Sequence, residues 1–129
     1  MAFDLTTLEQ EDVFTFELRH PATDDPIPGA TATIYGQDSE QCRAATRKAM
    51  QRYTDYARKH RGKLMPPEEQ EALEFAKIVA ITKSIDGLTM GDKAITDVAE
   101  ILTKVPAFRE QIAQENTDRG NFIKTSAVN

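Results

Sequence analysis

The longest apolar stretch of the chain runs from Pro66 to Leu88, PPEEQEALEFAKIVAITKSIDGL. Ala72, Phe75, Ala76, Val79, Ala80 and Lys83 recur there at helical spacing, and Leu73, Ile78, Ile81 and Ile85 fill much of the opposite side. An apolar pattern on most of the circumference predicts a helix over 67–86 that other elements surround. Pro66 and Pro67 suit a first turn, where a missing N–H costs nothing. Glu68, Glu69 and Glu71 complement the positive end of the helix dipole. Asp86-Gly87 supplies a left-handed stop. The expectation is that this helix is the hub of the core.

Ahead of it the period is two. In Val13–Arg19, Phe14, Phe16 and Leu18 share one face, and Ala30, Ala32 and Ile34 do so in the next run. The loop HPATDDPIPG separates them, so residues 13–35 predict an antiparallel hairpin that needs a cover. A helix over 38–60 follows, with Asp38 as N-cap and Gln41 completing a capping box. Its inner face would carry Cys42, Ala45, Ala49, Tyr53 and Tyr56. Shorter helical patterns cover 96–104 and 106–118, and Gly120 interrupts the last. Residues 1–12 read as a mobile acidic N-terminal segment and 124–129 as a flexible C-terminal tail. The fold class expected is α+β, mainly helical. A single domain over 13–123 would place the N-terminal β-hairpin before a bundle of about four helices.

Charge changes this picture more than composition does. The net charge is −5, from 16 basic and 21 acidic side chains. Before Cys42 the chain has one cation, Arg19, but Arg43–Lys63 carries eight against the single acid Asp55. The acidic balance argues against a general nucleic-acid binder. One cysteine permits no disulfide within the chain and fits a reducing compartment. No apolar run approaches the ~18 residues of a membrane helix.

Chemistry is scarce. His20, His60 and Cys42 are scattered singly, without metal-ligand spacing. No glycine-rich phosphate loop or nucleophile elbow is present. The acidic pairs Asp24-Asp25 and Glu68-Glu69 are explained by a solvated loop and a helix dipole. No catalytic residue, cofactor or metal is expected, and the chain reads as no enzyme. The candidate binding surface is instead the basic helix, with Arg43, Arg47, Lys48, Arg52, Arg58 and Lys59 opposite the tyrosines. It is either a solvated face answering the acidic N-terminal segment or a docking strip for an acidic partner. Nucleic acid is disfavoured there, because stacking aromatics are not interleaved with the charges. Tyr53 and Tyr56 suit helix packing or a partner site. Phe122 and Ile123, set between glycine and lysine, are either core or a docking hook.

Taken in order, the segments form a recognisable series. A strand ending I-Y-G-Q-D-S, with Gly36, Asp38 and Ser39, leads into the basic helix. Thr82-Lys83 and Asp86-Gly87 close the long apolar stretch. Arg109-Glu110-Gln111-Ile112 follows Phe108, and Asp118-Arg119-Gly-Asn121-Phe122 ends the series. This series resembles the tail assembly chaperones of long-tailed, siphovirus-type bacteriophages, over residues 13 to 123. Where that family often has an aromatic before Asp-Gly, this chain has Ile85.

The resemblance implies a non-enzymatic role in tail morphogenesis. Such proteins bind the long helical tape measure protein, keep it soluble and help to recruit the major tail tube protein, often through a longer frameshifted form. It also implies a place in the cytoplasm of the bacterial host and absence from the mature virion. Arg109, in the matched motif, joins the candidate partner-binding residues. Self-association is a further expectation from the small-residue faces. The alternatives are a structural minor tail or neck component of the virion, and a small nucleic-acid-binding regulator using the basic helix 43–61.

Overall fold

The structure, a computed structural model, describes residues 2–125. It is an α+β fold built on a three-stranded antiparallel sheet. After a 3-10 turn at Leu5–Thr7, β1 (Leu8–Gln10) precedes β2 (Val13–Arg19) and β3 (Pro26–Tyr35). Helices α1 (Glu40–Lys59) and α2 (Pro67–Ile81) then form a hairpin, and the chain returns to the sheet as β4 (Thr82–Asp86). A small hairpin of β5 (Leu88–Met90) and β6 (Lys93–Ile95) leads to α3 (Val98–Lys104) and α4 (Pro106–Thr117). A 3-10 turn at Arg119–Phe122 and β7 (Ile123–Thr125) complete the described chain.

The sheet order is β2-β3-β4. Period-two patterning decides its faces. Leu18, Ala30, Ala32, Ile34 and Ile85 are fully enclosed, while Thr15 and Thr33 bond across the exposed face at 2.8 Å. Ile101, Leu102, Phe108 and Ile112 of α3 and α4 close the inner face, with Ile81 and Phe122 at its margins. The four helices therefore make two pairs laid around a sheet, not a bundle behind a hairpin.

The long apolar stretch is the main correction. The helix stops at Ile81, and residues 82–86 form the third strand. Thr82 adopts extended dihedrals and its hydroxyl donates to the Ile78 carbonyl at 2.7 Å, satisfying an orphan helix-end acceptor. The register shifts between Thr33 and Ile34, opposite Ser84 and Thr82. This bulge buries both Thr82 and Ile85, three residues apart. A bulged strand thus imitates helical spacing, which is why periodicity extended the helix. Nor is α2 the hub: within it only Ile81 is buried, Phe75, Ile78 and Val79 are half-buried, and Ala72, Ala76 and Ala80 are exposed.

Other boundaries move for local reasons. Ser39, not Asp38, caps α1: its hydroxyl accepts from the Cys42 N–H and donates to the Gly36 carbonyl. Asp38 instead receives Arg119 at 3.0 Å. The helix expected from residue 96 begins after Asp97, whose carboxylate accepts from the Glu100 N–H. The N-terminal segment holds secondary structure, since β1 pairs antiparallel with β7 from Leu8↔Thr125 to Gln10↔Ile123. That pairing takes Lys124 and Thr125 out of the expected tail, whose remaining residues lie outside the described chain.

Candidate partner-binding groove

Helix α1 makes its main contact with α2. It buries only Cys42 and Ala49, and Tyr53 and Tyr56 are half-buried. Between the two helices lies an open groove of about 330 Å³. Its floor is Ala45 and Ala49 of α1 with Ala72, Leu73, Ala76 and Ala80 of α2, and Met65 of the connection also lines it. Alanines keep the floor shallow, so a partner backbone can approach closely. The walls are Lys48 and Arg52 on one side and Glu69 and Lys77 on the other. A more open cleft of about 530 Å³ adjoins it, sharing Arg52, Met65 and Glu69 and adding Asp55, Tyr56, Arg58, Lys59 and His60.

The cations differ in their freedom. Arg47 reaches back to Glu40 at 2.6 Å. Among the described residues, Lys48, Arg52, Lys77 and Arg58 form no ion pair. Lys48, Arg52 and Lys77 carry their charge along the groove and Arg58 along the adjoining cleft, where it can steer an acidic segment at low ionic strength. Arg43 is exposed near the start of α1 and does not line the groove.

The tyrosines split. Tyr56 stacks on His60 with centroids 3.9 Å apart, and the His60 ring bonds the Tyr56 carbonyl at 3.0 Å. Its ring thereby covers the last turn of α1 beside the open cleft. Tyr53 lines neither the groove nor the cleft.

Three candidate residues lie elsewhere. Arg109 sits 4.9 Å over the Phe75 ring and donates from Nε to the Leu102 carbonyl at 3.0 Å. It ties α4 to α2 and to the end of α3, as a structural cation–π contact worth roughly 0.5–1 kcal/mol. Phe122 is only 2% exposed and meets Phe14 edge-on at 5.9 Å, so it lies in the core. Ile123 is half-buried in β7, opposite Gln10.

The floor of the groove is not legible in the sequence. Ala72, Ala76 and Ala80 belong to an apolar pattern that predicts burial all round the helix. The signal available was size: a stripe of alanines buries little area, whereas Phe75, Ile78 and Val79 on the neighbouring arc bury more.

Among the described residues, no group of three His, Cys, Asp or Glu side chains is placed to hold a metal ion. No helix among them is long and apolar enough to cross a membrane. No family model, curated protein or solved structure matches the chain.

Proposed function

We propose that this chain is a non-enzymatic assembly chaperone for a phage tail, which holds segments of the tape measure protein in the α1–α2 groove. The observation that carries the reading is the groove itself: an alanine-rich apolar channel flanked by Lys48, Arg52 and Lys77, which form no ion pair among the described residues, and by the single acid Glu69. Such a channel suits an amphipathic helix, which lays a small-residue stripe on the floor and acidic flanks against Lys48, Arg52 and Lys77. The resemblance of the motif series to tail assembly chaperones supplies the identity of the client. In this reading the protein acts in the cytoplasm of the bacterial host, keeps the client soluble and brings in the major tail tube protein, in a longer frameshifted form.

The test is co-expression with a phage tape measure protein from the same genome. The wild-type chain should keep that protein soluble, and Ala76→Glu should abolish the effect while leaving the thermal midpoint of the chaperone unchanged. A client equally soluble with Ala76→Glu, or insoluble with the wild type, would overturn the reading.

A further inference from the structure

The chain exposes a second surface whose chemistry is the inverse of the groove. Phe3 and Leu5 are 70% and 74% exposed and Leu8 is 40% exposed, an unusual cluster of large apolar side chains within six residues. They alternate with and precede acids: Asp4 and Glu9 are exposed, and Glu11 and Asp12 follow. This segment is anchored at one end. Leu8–Gln10 pairs with β7, and the Glu11 N–H donates to the Phe122 carbonyl at 2.7 Å. Among the described residues, nothing covers most of the Phe3 and Leu5 side chains, and Leu8 stays partly exposed.

We infer that the segment Phe3–Asp12 of one copy docks in the α1–α2 groove of a second copy. Two independent properties match. Phe3 and Leu5 need an apolar recess, and the groove offers Leu73 and Met65 above an alanine floor. The acids need cations, and Lys48, Arg52 and Lys77 stand on the walls without ion-pair partners. Occupation by a second copy covers the groove while no other partner holds it, and a partner with greater apolar length would displace it by competition. Docking between copies does not rest on the client proposed above, although that competition does.

The experiment reads mass on the full chain with no client present. Light scattering and sedimentation at about 0.1 M salt should show self-association that weakens at about 0.5 M salt, because the Debye length falls as salt rises. The exposed pair Phe3→Ser with Leu5→Ser should give a monomer with an unchanged thermal midpoint. Lys48→Glu with Arg52→Glu should also give a monomer, and adding Glu9→Lys with Glu11→Lys to that variant should restore association. A photo-crosslinker at position 5, in a mixture of light and isotopically heavy chains, should join one copy to residues 72–80 of another. A wild-type monomer at both salts, association that survives Phe3→Ser with Leu5→Ser, or a cross-link confined to single chains would each overturn the inference. A protein that self-associates in this way and still fails to solubilise the tape measure protein would overturn the client alone.

Discussion

The ring of Phe122 lies against Gly36 so closely that a Cβ at position 36 would stand 2.7 Å from its Cγ. Gly36 follows β3; its N–H donates to the Asp12 carbonyl and its carbonyl receives the Ser39 hydroxyl, so the backbone is held from both sides. Gly36→Ala should therefore overpack this corner at a cost of about 1–3 kcal/mol. Phe122→Ala should cost about 3–5 kcal/mol through the cavity it leaves. Chemical denaturation of the single and double variants tests the contact. The penalty of Gly36→Ala should largely vanish in the Phe122→Ala background.

Gly87 and Gly29 share left-handed dihedrals, with φ of 84° and 81°, but not their surroundings. A Cβ on Gly87 would fall 1.9 Å from the Gly29 carbonyl oxygen, while one on Gly29 would meet nothing within 4 Å. Gly29→Ala should cost only the dihedral penalty, roughly 1–2 kcal/mol. Gly87→Ala should cost roughly 3 kcal/mol or more, because the clash is with backbone and cannot be relieved by a rotamer. Paired thermal melts would check the difference.

Gln111 completes the end of β2. Strand β2 is an edge of the sheet, and His20 donates to the Asp25 carbonyl, so the neighbouring Arg19 backbone groups face outward. The Gln111 side chain meets both: its Nε2 donates to the Arg19 carbonyl at 2.9 Å and its Oε1 accepts the Arg19 N–H at 2.8 Å. Gln111→Leu should strand both groups and cost about 1–3 kcal/mol. Hydrogen exchange should show the Arg19 amide losing protection beyond the global change.

Asp4 caps the first 3-10 turn. Its carboxylate accepts from the Thr6 hydroxyl and N–H, and these bonds lower its pKa below the ordinary 3.8. A depressed carboxylate contributes order that is complete above its unfolded value and disappears as pH falls through its folded value. The Thr6 amide resonance should titrate with a midpoint below 3.8. In Asp4→Asn that titration should be absent. A midpoint at or above the ordinary value would refute the cap.

The sequence made some of this legible and concealed the rest for physical reasons. Alternation at Phe14-Phe16-Leu18 and Ala30-Ala32-Ile34 located β2 and β3, because one face of that sheet is solvated. Strand β4 stayed hidden because its bulge buries Thr82 and Ile85 at helical spacing. The first strand was illegible for another reason: Leu8–Gln10 is exposed throughout and is held by its pairing with β7, a contact that no local pattern encodes. In the candidate site, the cations of α1 were readable as a charge run. The groove was not, since it exists only once α2 turns its alanines outward. The motif positions also changed meaning. Asp38 meets Arg119 across 81 positions, Gly36 meets Phe122, and Gly87 meets Gly29. These motif positions hold the scaffold together and do not line the groove.

Ile34 pairs with Thr82, so the whole α1–α2 hairpin leaves and re-enters the sheet at one point. Joining those strands closes a loop of roughly fifty residues, an entropic cost on the order of 3 kcal/mol if the loop were structureless. Helix contacts within the hairpin bring its two ends together and offset that cost. Whatever grips α1 and α2 simultaneously therefore reinforces a strand pairing it never touches. Occupancy of the groove should be readable at a distance, as slower hydrogen exchange along β3 and β4 and a melting temperature that rises with partner concentration.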